Sequence, residues 1–103
     1  MIHLDKENFK DLVKKGNHLV DFYAEWCGPC KMMGNVLETI EPKIEGKADI
    51  IKINIDNFSE LAEEHKVMSI PTLVFYKDGE KVDEEVGFSA EDYLLDKINE
   101  VFK

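Results

Sequence analysis

The stretch that decides the fold begins at His18-Leu19-Val20-Asp21-Phe22-Tyr23-Ala24 and passes through Glu25-Trp26-Cys27-Gly28-Pro29-Cys30. It ends in an apolar stripe of Cys30, Met33, Leu37, Ile40 and Ile44. The first seven residues are mostly apolar and β-favouring, the composition of a strand buried on both faces. Trp26 to Cys30 is turn-like, and Pro29 suits the first turn of a helix, where a missing N–H costs nothing. The stripe that follows has spacings of 3, 4, 3 and 4, which place it on one inward helix face, with Glu38, Glu41 and Glu45 elsewhere. Pro42 should kink or end this helix.

Working outward, the same strand–helix alternation recurs on both sides. Upstream, Ile2–Leu4 is a short apolar start, Asp5 is a good N-cap, and Phe9, Leu12 and Val13 recur at helical spacing before Gly16. Downstream, Ile50–Ile55 reads as a second buried strand, and Ser59 should cap a short helix through His65. Thr72–Tyr76 and Lys81–Val86 flank Asp78-Gly79, a strong hairpin signal that makes those strands antiparallel neighbours. Ser89 should open a last helix carrying Tyr93, Leu94, Ile98, Val101 and Phe102 inward. The order β-α-β-α-β-α-β-β-α implies an α/β fold. Early parallel βαβ units join a terminal hairpin, giving a mixed five-stranded sheet with four helices on its two faces.

Composition narrows the function classes. The 103 residues carry 13 basic and 22 acidic side chains, a formal charge of −9, with 44% hydrophobic residues. A chain of this length fits one domain, residues 1–103, able to bury roughly 60–70% of its unfolded surface. The negative balance, without a Lys/Arg cluster, argues against nucleic acid or an anionic membrane as main partner. No apolar run reaches the roughly 18 residues of a membrane span. Met1 to Lys6 lacks a basic segment leading into an apolar one, so no secretory signal is expected and a cytoplasmic location is. The acidic runs Glu63-Glu64 and Asp83-Glu84-Glu85 read as solvated faces.

Cys27 and Cys30 close too small a loop to staple a fold. A CxxC between a strand and a helix has a chemical reading instead. Cys27 stands at the helix start, where backbone N–H groups lack partners and the helix dipole is positive. Both favour its thiolate. Cys30 begins the inward stripe and is shielded. That asymmetry makes Cys27 the group that attacks a partner disulfide and Cys30 the one that resolves the mixed disulfide. Two incidental buried thiols are the bland alternative. A metal site would need further ligands, and His3, His18 and His65 are scattered singly, so no metal is expected. Asp21 stands alone among Leu19, Val20, Phe22 and Tyr23, where burial would raise its pKa. It is either a strand-edge or hydrogen-bonded structural acid or a buried base that takes the Cys30 proton through water.

The sequence resembles the thioredoxin family. The resemblance rests on Val20 through Met32 with its WCGPC core, on Lys52-Ile53-Asn54-Ile55-Asp56, on Ser69-Ile70-Pro71-Thr72, and on Gly79 and Gly87. It covers essentially the whole chain. It implies the thioredoxin fold and a cis bond before Pro71 beside the cysteines, with the Ile70 backbone pairing an extended substrate segment. Asp21 would be the proton acceptor, with Lys52 partly offsetting its charge. Gly28 and Pro29 would support the chemistry, and with Trp26, Ile70, Val86 and Gly87 would form the apolar rim on which partners dock. Core packing is the alternative for Trp26, and a solvated strand-end position that for Lys52. Met32 and Met33 read as gap-filling core or rim residues. The implied activity is reduction of protein disulfides with no cofactor beyond the Cys27–Cys30 disulfide. The implied partners are a thioredoxin reductase and disulfide-containing clients; oligomeric state is open, with a monomer the default. A turnover-free binding module on this fold, and an isomerase or oxidase, are the rival readings. Two departures stand out. Asn35 occupies a position where many members carry a helix-kinking proline, and Tyr23 one where tryptophan is common.

Overall fold

The structure is a computed structural model that describes residues 1–5 and 7–103. Its elements are β1 (Ile2–His3), α1 (Phe9–Val13), β2 (Asn17–Tyr23), α2 (Gly28–Ile40), β3 (Asp49–Asn54), α3 (Ser59–Glu64), β4 (Thr72–Lys77), β5 (Glu80–Val86) and α4 (Glu91–Val101). The strands form one sheet in the order β1-β3-β2-β4-β5. β1, β3 and β2 run parallel, whereas β4 lies antiparallel to both β2 and β5. This is the mixed five-stranded sheet with four helices that the sequence predicts.

Strand alternation sorts the core into two layers. Leu19, Ile50, Leu73 and Phe75 face Met33, Leu37 and Ile40 of α2 and Leu94 and Ile98 of α4. Val20, Phe22, Ile51, Ile53 and Val74 face Phe9 and Val13 of α1 and Ala62 of α3. β2 sits at the centre with five consecutive buried residues, His18–Phe22. One residue in that buried run is charged. Period-two alternation puts Asp21 on the Leu19 side, beneath α2, and its register partner Lys52 falls on the same side.

Helix α2 runs unbroken through Gly34 and Asn35, where the Thr39 hydroxyl donates to the Asn35 carbonyl at 3.0 Å. It ends at Ile40, and Pro42 falls in a 3₁₀ turn over Glu41–Lys43, so the proline stops the helix as expected. Ile44 lies beyond that turn yet stays buried in the same layer. The capping expectations fare less well. α1 starts from Asn8 and not from Asp5, because the Leu4 N–H is still bonded to the Lys52 carbonyl at the sheet edge (2.9 Å). Ser59 is the first residue of α3, after Phe58, and α3 stops at Glu64 with His65 as its cap. Ser89 is buried and α4 starts from Ala90. In none of these three helices does a side chain bond the free N-terminal amides, so packing of the apolar face sets the start.

The β4–β5 turn has Asp78 at φ 49° and Gly79 at φ 85°, the left-handed pair that a two-residue hairpin requires. Asp78 also latches this end of the sheet. Its carboxylate accepts from the Gly16 N–H at 2.8 Å and its own N–H donates to the Gly16 carbonyl at 2.9 Å. On β5 the acidic run is only partly a solvated face. Lys97 of α4 lies 2.9 Å from Glu85 and 3.6 Å from Asp83. The Tyr93 hydroxyl and Lys97 hold the Glu85 carboxyl below its usual range, so the run clasps the last helix to the edge strand.

Candidate active site

β2 ends at Tyr23, and Ala24 to Trp26 carry the chain across the sheet end into α2. Cys27 is the helix N-cap in extended conformation (φ −92°, ψ 113°), held by its N–H to the Ala24 carbonyl at 3.3 Å. Pro29 stands in the first turn as expected. With no proline N–H in the way, the Cys30 N–H points back at Cys27 Sγ, 3.1 Å away. A sulfur in the N-cap seat replaces the usual side-chain oxygen and receives one of the helix's free amides. The two Cα atoms are 5.2 Å apart and the sulfurs are disulfide-bonded. Both cysteines are buried, Cys27 at 6% exposure and Cys30 at 2%, and they pack with Ala24, Tyr23 and Ile70.

A second loop faces them. The Ile70–Pro71 bond is cis, as the resemblance implies, and the Ile70 carbonyl oxygen lies 3.9 Å from Cys27 Sγ. Thr72 braces this loop by donating its hydroxyl to the Ser69 carbonyl at 2.6 Å. The Pro71 carbonyl accepts from the Gly87 N–H at 2.8 Å, which brings the end of β5 beside the cysteines. Gly87 has φ +89°, a conformation that other residues resist. Cys27, Gly28, Pro29, Ile70, Pro71, Val86 and Gly87 therefore meet at one end of the sheet.

Trp26 is 70% exposed and its indole N–H donates to Asp56 Oδ2 at 3.0 Å. It is a surface residue, not a core one. Val86 is exposed as well. Met32 is exposed and Met33 is fully buried, so the adjacent methionines split between rim and core. Met68, which the sequence reading does not single out, is 92% exposed, two residues before Ile70. Its place just ahead of the Ile70-Pro71-Thr72 turn was the available signal.

Asp21 is fully buried, and among the described residues neither carboxylate oxygen has a hydrogen-bond partner. The reading as a hydrogen-bonded acid thus finds no partner among the described residues. Burial pushes its pKa up to about 7, and the nearby Lys52 ammonium opposes the rise. Lys52 is half-buried, with Nζ 4.4 Å from the centre of the Tyr23 ring, so it is not the solvated strand-end lysine of the alternative reading. His18 bonds the Lys15 carbonyl, and His65 bonds the Leu61 carbonyl and the Tyr76 hydroxyl. Among the described residues no three metal-ligating side chains cluster. Among the described residues no helix is long and apolar enough to cross a membrane.

A disulfide in the first turn of a helix, with an amide aimed at the outer sulfur and a carbonyl beside it, can be opened by electrons and closed again within one turn of chain. Comparison with known proteins agrees. The family model described as Thioredoxin matches residues 1–100. The chain is 45% identical to a thioredoxin of Staphylococcus saprophyticus over 98 residues, covering 95% of this chain and 94% of that one. It is 43% identical to a thioredoxin of Staphylococcus haemolyticus, covering 96% and 95%. Among solved structures it is similar to a mutant thioredoxin from Halobacterium salinarum, with a TM-score of 0.89, 36% identity and coverage of 99% and 90%. It is also similar to the thioredoxin of Malassezia sympodialis, with a TM-score of 0.88, 33% identity and coverage of 98% and 92%. The chain belongs to the thioredoxin family, and its chemistry is the thiol–disulfide oxidoreduction of a protein-disulfide reductase.

Proposed function

We propose that the reaction runs through Cys27 as nucleophile and Cys30 as resolving thiol. The Cys27 thiolate attacks one sulfur of a client disulfide, forming a mixed disulfide and expelling the other client sulfur as a thiolate, which takes up a proton. Cys30, losing its proton, then attacks Cys27 Sγ. The second client sulfur leaves, two electrons have passed to the client, and the Cys27–Cys30 bond remains. The observation that carries this assignment is the Cys30 N–H aimed at Cys27 Sγ, because an amide at a helix N-terminus stabilises a thiolate on that sulfur only. Asp21 receives the Cys30 proton through water, supported by its burial, its free oxygens and a pKa near working pH. Lys52 partly offsets the charge that Asp21 carries before it takes that proton.

The client lies in extended form against the Ile70 backbone, before Pro71, on a rim of Trp26, Gly28, Pro29, Val86 and Gly87. The exposure of Trp26 and Val86 favours this reading. The oxidised protein is recharged by a thioredoxin reductase, so the molecule serves as an electron carrier of the cytoplasm, working as a monomer of one domain over residues 1–103, with its own disulfide as the sole redox group. The test is substitution of each cysteine. Cys27→Ser should abolish reduction of insulin disulfides by dithiothreitol-charged protein, and Cys30→Ser should accumulate covalent mixed disulfides with clients. Trapping by Cys27→Ser in place of Cys30→Ser would reverse the roles.

A further inference from the structure

Lys52 enters the layer beneath α2 from β3 as the register neighbour of Asp21. A lysine has four flexible carbons and a point-like ammonium, so the strand alone does not decide where its charge rests. Two neighbours do. The Tyr23 ring, two residues along β2 from Asp21, lies with its centre 4.4 Å from Lys52 Nζ, within the range where the negative face of a ring attracts a cation. On α2, a Cβ built at Gly34 would stand 3.5 Å from Nζ, so the ammonium rests against a helix position that carries no side chain. The ring is itself anchored. It packs with Ala24, Cys27 and Cys30.

We propose that Tyr23 is a positioning residue for the thiol–disulfide reaction, its ring face holding the Lys52 ammonium beside Asp21 so that Asp21 stays competent to take the Cys30 proton. This rests on the reading of Asp21 as the proton acceptor. β3 offers Lys52 and β4 offers the apolar Leu73 in register with Asp21, Tyr23 stands two residues along β2, and Glu25 follows beyond the end of that strand. Lys52 is the single cation among them, and it acts against the burial that holds the Asp21 proton. Releasing the ammonium from the ring would therefore leave Asp21 protonated to higher pH.

The test follows the Asp21 carboxyl by carbon NMR in the oxidised protein, where neither cysteine titrates. Tyr23→Leu should raise the Asp21 midpoint by roughly half to one pH unit. Tyr23→Phe and Tyr23→Trp, which keep a ring face, should hold it near the wild-type value. In a Lys52→Met background Tyr23→Leu should add nothing. Resolution of a mixed disulfide at pH 7 should slow about two- to fivefold in Tyr23→Leu, with its pH profile moved upward by the same amount. Should the leucine variant not fold, the wild-type protein still decides the matter, because Lys52 side-chain protons over a ring must resonate upfield. An Asp21 midpoint unmoved in Tyr23→Leu, or Lys52 protons without ring-current shift, would overturn the proposal. A midpoint that moves while the resolution profile stays put would keep Tyr23's hold on Lys52 and reject Asp21 as the acceptor.

Discussion

At the scale of the residue, the outstanding fact is a carboxylate buried at the centre of the sheet that, among the described residues, has no hydrogen-bond partner. An unfolded Asp titrates near 3.9, whereas Asp21 in the fold titrates at about 7. Below pH 4 the side chain is neutral in both states and exerts no penalty. Between the two values the unfolded chain releases a proton that the folded one keeps, so stability falls as pH rises. Above pH 7 the whole penalty is present, of order 4 kcal/mol. Asp21→Asn should therefore stabilise the oxidised protein by a few kcal/mol at pH 8 and by little at pH 4, measured by urea unfolding. An equal gain at both pH values would mean that charge burial is not the cause. Trp26 offers the opposite case, an exposed aromatic whose indole N–H donates to Asp56. Trp26→Ala should change stability by less than about 0.5 kcal/mol while raising KM for protein clients, checked by unfolding and insulin-reduction kinetics on the same preparation.

At the scale of the element, α2 and the hairpin have separable duties. α2 carries the cysteines at its start and the deepest core contacts along its length. Leu37→Ala should cost about 2–5 kcal/mol by leaving a cavity in the α2–α4 layer, with the activity of the remaining folded molecules preserved. Gly79→Val should cost about 1–2 kcal/mol through its left-handed backbone, and since that turn lies at the far end of the sheet, kcat should not change. The elements themselves were legible because their signals are local. β2 is apolar throughout, α2 keeps helical spacing until Pro42, and Asp78-Gly79 matches a two-residue turn. Starts of helices were not legible. A serine or aspartate in the right place was available three times, yet each time tertiary packing set the first turn. The Asp21–Lys52 neighbourhood is a pairing of strands 31 residues apart, which no periodicity encodes; resemblance alone pointed to it. Whether Trp26 faced core or solvent was equally undetermined, since an aromatic beside a turn suits both.

At the scale of the whole molecule, the net charge of −9 acts on encounter and not on the chemistry. Raising salt from about 0.01 M to about 1 M shortens the screening length from roughly 30 Å to roughly 3 Å. Reduction of a basic client should slow over that range and reduction of an acidic one should quicken, read as kcat/KM at each salt concentration. Identical salt dependence for the two would remove charge from the account of client choice. The two core layers share one sheet, so unfolding followed by Trp26 emission and by backbone circular dichroism should give coincident transitions. The latch between Asp78 and Gly16 has a practical corollary. It marks the pole of the molecule opposite the disulfide, and Lys77, Asp78 and Glu80 beside it are open to solvent. A linker anchored at that pole would mount the protein on a resin or electrode with its sulfur-bearing end turned outward, ready to meet clients flowing past.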